Sequence, residues 1–130
     1  MPYPIFATYD KTNNIFYKSI LGIKSNNTAN TEFECKFLLG LLNSKLIGWY
    51  FTINSNKNVT KTFPRISLYD LKKFPLPQVE RNQKKLLVDI VQKILNQNEL
   101  NKVKFDDEID KLVYQLYELT EEEIKIVEGA

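Results

Sequence analysis

The chain of 130 residues contains no histidine, one cysteine and four glycines. Lacking histidine, it has neither the commonest general base nor the commonest metal ligand. A structural zinc site and a Cys–His nucleophilic pair are excluded with it. Cys35 cannot form an internal disulfide, which fits a reducing cytoplasm. Four scattered glycines make no phosphate-cradling loop. Nor is there a long apolar run. The best candidate, Phe37 to Phe51, is interrupted by Asn43, Ser44 and Lys45, and a membrane span needs about 18 apolar residues or more. The opening Met1-Pro2-Tyr3-Pro4 has no basic stretch leading into an apolar one, so it does not read as a secretory signal.

What is present is an ordinary globular composition, 43% hydrophobic and 26% charged, in a length suited to one small core. The net charge of +2 conceals an asymmetry. Residues 1–104 hold sixteen Lys/Arg against seven Asp/Glu, whereas residues 105–130 hold two against nine. A basic body suits a polyanionic partner, and an acidic end does not. Solvated lysines on a Lys-rich surface account for the same numbers without any partner.

Hydrophobic patterning predicts an α+β fold: a small mixed or antiparallel β-sheet packed against an amphipathic helix, followed by a C-terminal helical hairpin or bundle. Ile5–Tyr9 and Ile15–Ile23 are rich in β-formers and read as a hairpin or two sheet strands, with a polar loop over 24–31. Glu32 to about Phe51 reads as one helix, with Phe33, Phe37, Leu38, Leu41, Leu42, Leu46, Trp49 and Tyr50 on a broad face. Gly40 and Gly48 weaken it but permit close packing against a neighbour. Thr52–Thr62 reads as a loop and Phe63–Ile66 as extended. Ser67 and Asp70 form a capping-box pattern for a short helix that Pro75 and Pro77 end. Arg81 to about Leu100 places Leu86, Leu87, Ile90, Val91, Ile94 and Leu95 on a stripe. Asp106 or Asp107 is the expected cap of the next helix, which turns Ile109, Leu112, Val113, Leu116 and Tyr117 inward. Lys104–Asp107 breaks the pattern between the two helices and favours a hairpin. Thr120 and Glu123 form a second capping box, opening a short helix with Ile124 and Val127 apolar. The acidic clusters Asp106-Asp107-Glu108 and Glu121-Glu122-Glu123 read as solvated helix starts rather than catalytic carboxylates.

Three blocks, in order, resemble a known family. Phe37-Leu38-Leu39-Gly40-Leu41-Leu42-Asn43-Ser44-Lys45-Leu46 is similar to the Leu-Leu-x-x-Leu-Asn-Ser-Lys-Leu helix of TaqI-like C-terminal specificity domains. Phe63-Pro64-Arg65-Ile66-Ser67, followed by Leu71-Lys72-Lys73-Phe74-Pro75-Leu76-Pro77, resembles that family's second block. Residues 109–128 resemble its C-terminus, with Glu118 standing where the family usually has the glycine that ends the helix. Glu118 is therefore expected to end the helix in some other way. Such domains lie behind the catalytic domain of adenine-specific DNA methyltransferases and of fused restriction–modification enzymes. Specificity subunits of type I restriction systems carry a similar helix. The likeness implies a target-recognition part over residues 1–79 and a helical tail over 80–130, in a chain that begins partway into the domain.

What the resemblance implies is a DNA-reading module of a restriction–modification system in the cytoplasm, without catalysis of its own. No Asp-Pro-Pro-Tyr or Asn-Pro-Pro-Tyr motif is present, and no nuclease-type Pro-Asp…Glu-x-Lys arrangement. The expected partners are double-stranded DNA and a catalytic methyltransferase domain or subunit, with S-adenosylmethionine used by the parent and no cofactor in this chain. Candidate phosphate contacts are Lys18, Lys24, Lys57, Lys61 and Arg65, which set affinity and register. Asn26, Asn27, Asn54 and Asn56 are candidate base readers, since an Asn amide matches the adenine edge. For Asn43 and Ser44 a structural bond to a neighbouring loop is expected, and for Trp49, Tyr50 and Phe51 core packing rather than base stacking. The alternative is a helical protein–protein docking or dimerisation module without DNA contact, whose exposed apolar face can join copies of the chain into a homo-oligomer.

Overall fold

The computed structural model describes Ala7, Tyr9, Gly22, Ile23 and residues 31–54, 67–96 and 102–129, with the side chains of the last stretch from Asp107 onward. Six helices are formed: α1 (Thr31–Leu42), α2 (Lys45–Asn54), α3 (Leu68–Lys72), α4 (Arg81–Asn96), α5 (Lys102–Leu116) and α6 (Glu121–Gly129). Helix α4 packs on α1 and on α5, and α2 touches α1, α5 and α6. Buried side chains of α1, α2, α4 and α5 make one core, headed by Leu41, Phe51, Leu87 and Val113. It takes residues from both sides of position 80. Five residues separate α4 from α5, too few to run back along a helix of about 24 Å, so the packed pair is a hairpin.

The expected β-sheet is corrected: among the described residues there is no strand. Most of Ile5–Tyr9 and Ile15–Ile23 lies outside those residues, but Ala7, Tyr9, Gly22 and Ile23 belong to no ladder. At Ala7 the reason is visible. Its N–H donates to Asn43 Oδ1 and its carbonyl accepts from Asn43 Nδ2, each at 3.0 Å. A side-chain amide thus fills both groups that a sheet neighbour would have filled. β-propensity reports how well a side chain fits a half-buried extended surface, and a helix can provide that surface as well as a strand.

The single helix expected over Glu32–Phe51 is two helices, parted at Asn43-Ser44. The apolar spacing runs across the break, so periodicity alone does not reveal it. The Ser44 hydroxyl accepts from Ile47 N–H at 3.3 Å, capping α2, and donates to the Leu41 carbonyl at 2.6 Å.

Three further expectations are revised. In α4 the inward stripe is Leu87, Val88 and Val91, flanked by half-buried Ile90 and Ile94, while Leu86 and Leu95 face outward. A stripe as wide as the one expected exceeds the arc that α1 and α5 cover. Helix α5 begins at Lys102, one turn earlier than expected, so positions 106 and 107 lie inside it and cap nothing, and Lys104–Asp107 is helix rather than a break. Glu118 takes the left-handed conformation itself, with φ of 55°. Leu119 N–H reaches the Tyr114 carbonyl at 3.1 Å and Glu118 N–H the Gln115 carbonyl at 3.0 Å, the two bonds of a Schellman ending.

Both capping boxes form as expected. Asp70 N–H donates to Ser67 Oγ and Ser67 N–H to Asp70 Oδ2, each at 3.1 Å. Glu123 N–H donates to Thr120 Oγ1 at 3.2 Å, with Glu123 Oε1 reaching back to Thr120.

Two substitutions test this packing. A Cβ at Gly40 would stand 2.9 Å from Leu87 Cγ, the branch point of a fully buried side chain. Alanine gains up to about 1 kcal/mol in helix propensity, but overpacking costs about 1–3 kcal/mol. Gly40→Ala should therefore lower the urea midpoint despite being the better helix former. Glu118→Gly should raise the midpoint by stabilising the fold by about 0.5–1 kcal/mol, because the left-handed strain of an L-residue exceeds the entropy glycine loses on folding.

Candidate nucleic-acid interface

Asn43, Ser44 and Lys45 each bind a different part of the molecule. Asn43 holds Ala7, 36 positions away. Ser44, 2% exposed, joins α1 to α2. Lys45 donates its backbone N–H to Asp110 Oδ1 in α5 at 2.8 Å. Its ammonium lies 4.0 Å from Asp110 Oδ2 and 3.7 Å from Glu128 in α6. A carboxylate at the first N–H of α2 also favours the helix dipole. The expected structural role of Asn43 and Ser44 is what the geometry provides.

The second anchor of the N-terminal segment is Lys36. It is 7% exposed, bonds Glu32 at 2.7 Å and Gln92 of α4, and sits 5.5 Å over the Tyr9 ring. A buried ammonium persists only when paired in this way. Arg81 over Phe33 at 4.2 Å and Lys84 over Phe37 at 5.2 Å tie α4 to α1 by the same cation–π chemistry.

Helices α2 and α3 frame residues 55–66, which carry Asn56, Lys57, Lys61 and Arg65. Of the nine candidate contacts, Asn54 alone is among the described residues. It closes α2, is exposed, and donates from Nδ2 to the Tyr50 carbonyl at 2.9 Å. Lys18, Lys24, Asn26, Asn27, Asn56, Lys57, Lys61 and Arg65 lie outside them. Phe51 is 1% exposed, and Trp49 packs half-buried against the core. Tyr50 and Phe51 meet Phe74 edge-on at 6.0 and 6.4 Å. Tyr50 and Phe51 therefore hold α2 to the segment after α3.

Sequence reasoning singled out nothing on α3 beyond its cap, yet its outer face is distinctive. Leu68, Tyr69, Lys72 and Lys73 are exposed and share one side of the helix, and Leu71 points to the core. Lys73 Nζ stands 4.0 Å over the Tyr69 ring. The only acid in α3, Asp70, accepts from Ser67 N–H and Oγ. The available signal was the helical register of residues 68–73, which puts Lys73 roughly opposite Leu71 and Lys72 about 100° from it.

Beyond α3, the hydroxyl of Tyr117, the residue that follows α5, donates to the Pro75 carbonyl at 2.6 Å. Burial pushes this phenol from its ordinary value near 10 up to about 12. Among the described residues there is no group of acids or cysteine suited to a metal ion, and no helix long and apolar enough to cross a membrane.

A family model described as the TaqI-like C-terminal specificity domain matches residues 3–76. That stretch takes in α1, α2 and α3 and stops at Leu76, just past the tether point at Pro75. No curated protein and no solved structure matches the chain.

The Tyr117 tether has a pH signature. Because the folded value lies above the unfolded one, its stabilisation is whole below pH 10 and declines as pH rises toward about 12, where the unfolded chain releases the proton first. Tyr117→Phe should lower the unfolding free energy at neutral pH by about 0.5–1.5 kcal/mol and flatten its fall across that window. Equilibrium unfolding of both proteins between neutral pH and pH 12 checks both effects.

Proposed function

The chain belongs to the TaqI-like C-terminal specificity domain family, and from that membership we propose that it is the DNA sequence-recognition module of a restriction–modification system. In this reading it works beside a catalytic methyltransferase domain or subunit and carries no catalysis of its own. The parent activity is adenine-specific DNA methylation, alone or fused to restriction, with S-adenosylmethionine bound by the catalytic part. A catalytic domain of this kind extrudes its target base, and extrusion is selective only if a second surface holds the flanking duplex in register.

The observation that carries the reading is the family match over residues 3–76, more than half of the chain. The charge distribution supports it, since the excess of lysine and arginine falls in residues 1–104. Lys18, Lys24, Lys57, Lys61 and Arg65 serve as phosphate contacts that set register without choosing sequence. Asn26, Asn27, Asn54 and Asn56 are the base readers. Asn54 spends one amide hydrogen on Tyr50 and keeps the other, with its carbonyl oxygen, for a base edge.

A second reading, a helical docking or dimerisation module, draws on Leu86 and Leu95 of α4 and Ile126 of α6. All three are exposed and lie beyond the matched residues. It accounts for that outward apolar surface but not for the basic first part of the chain.

Salt titration of duplex binding separates the two. Each phosphate contact contributes about 0.9 to the slope of log K against log salt. The Lys57→Ala/Lys61→Ala/Arg65→Ala variant should bind more weakly with a slope shallower by up to about 2.7. Absence of duplex binding by the unmodified chain at low salt would leave the docking reading in place.

A further inference from the structure

We infer that the outer face of α3 is a phosphate-binding surface for duplex DNA, formed by Lys72, Lys73 and Tyr69. This rests on the DNA-recognition reading and extends it to residues that the three sequence blocks do not mark as contacts.

The lysines of the described residues fall into two groups. Lys36, Lys45, Lys84 and Lys85 are each committed to a carboxylate, on Glu32, Asp110 with Glu128, Glu34 and Asp89 respectively. Lys72 and Lys73 are exposed and have no carboxylate partner among the described residues. The acid nearest in sequence, Asp70, is engaged by the Ser67 cap. Two adjacent ammonium groups are thus left on one face of a helix without an ion-pair contact, the nearby Asp70 carboxylate being turned to the Ser67 cap.

Their neighbours suit a phosphate ligand. Tyr69 is 67% exposed, and the Lys73 ammonium lies over its ring. The cation–π contact orders one lysine in advance and leaves the Tyr69 hydroxyl outward as a further donor. Lys72 and Lys73 can reach phosphates as point charges. The rest of the helix is held from behind: Leu71 and Phe74 pack on the core, and the Tyr117 hydroxyl tethers Pro75. A docked phosphate therefore meets a face whose ordering cost is already met by the core.

Position in the chain points the same way. Residues 55–66, with Lys57, Lys61 and Arg65, end at Ser67, the cap of α3. The α3 lysines extend that basic run onto a rigid element. Lys93, Lys111 and Lys125 make no ion pair among the described residues either, but Lys93 stands alone on α4, one turn from Asp89, and Lys111 and Lys125 lie among the acids of α5 and α6, where repulsion keeps a polyanion away.

The test compares salt-dependent binding of a fluorescent mixed-sequence duplex by the full chain, the Lys57/Lys61/Arg65 variant and three further variants. Lys72→Ala/Lys73→Ala should weaken binding and make the salt slope shallower by about 1.8, the value for two lost phosphates. Tyr69→Phe should weaken binding with little change in slope, because the hydroxyl carries no charge. Lys111→Ala/Lys125→Ala removes the same charge from the acidic end and should leave the slope unchanged. All five positions are exposed, and an unaltered thermal midpoint verifies folding. An unchanged slope in Lys72→Ala/Lys73→Ala, beside a reduced one in the Lys57/Lys61/Arg65 variant, overturns this inference and leaves the DNA-recognition reading standing; the α3 face then belongs to a protein partner. An equal reduction in the Lys111/Lys125 control also overturns it, because net charge alone would be responsible. Failure of the unmodified chain to bind overturns both.

Discussion

The arrangement depends on one bond, the backbone N–H of Lys45 held by the Asp110 carboxylate. A helix that starts inside a protein must find acceptors for its first N–H groups. Helix α2 finds one in its own Ser44 and one in α5, 65 positions further along. With Asp110 only 4% exposed and facing both the N–H and the ammonium of Lys45, the carboxylate has its charge balanced where it is buried. The direction of α2 thereby depends on where α5 lies. The framing of residues 55–66 depends in turn on α2 and on α3, and Tyr117, the residue that follows α5, tethers the segment after α3 at Pro75. The helices outside the matched family stretch thus position both ends of the segment that carries three of the basic candidates.

Local chemistry made part of this legible in the residues. The two capping boxes and the outlines of α3, α4 and α6 follow from side chains three or four positions apart. Apolar spacing found Phe37, Leu41, Leu42 and Leu46 in the core, but it missed the buried Leu39, Ile47 and Phe51 and placed the half-buried Phe33, Leu38, Trp49 and Tyr50 there instead, because one helix was expected where two form. The break at Asn43-Ser44 was not legible, because the spacing is continuous across it and the acceptor that stabilises it comes from Asp110. The expected sheet failed for a related reason. Residues such as Ile5, Phe6 and Tyr9 ask for a surface to lie against, and around Ala7 and Tyr9 that surface is α1, through Asn43 and Lys36. The Glu118 ending shows a familiar backbone shape formed by a side chain that pays strain for it. Of the site, the candidates were chosen for polarity and charge in loops, and only Asn54 can be placed. The α3 lysines went unmarked because no spacing rule distinguishes a free lysine from one with a partner.

Gly40 and Leu87 show how closely the core is set. Where α1 meets α4 there is no room for a methyl group, so the fit of these two helices is steric as well as polar. Lys84 adds an ion pair with Glu34 at 3.4 Å on the same seam. Partly exposed pairs of this kind contribute about 1 kcal/mol at most, so the seam relies mainly on its apolar contacts.

The amide of Asn43 has one more consequence. Extended backbone with a free N–H and carbonyl is a template on which another chain can add, and proteins that display such edges risk stacking copy upon copy. At Ala7 both groups are already held by a single side chain rooted at the junction of two helices. An incoming strand would have to displace two hydrogen bonds at once to pair there. The residue that fastens the N-terminal segment to the helices also seals that point against polymerisation.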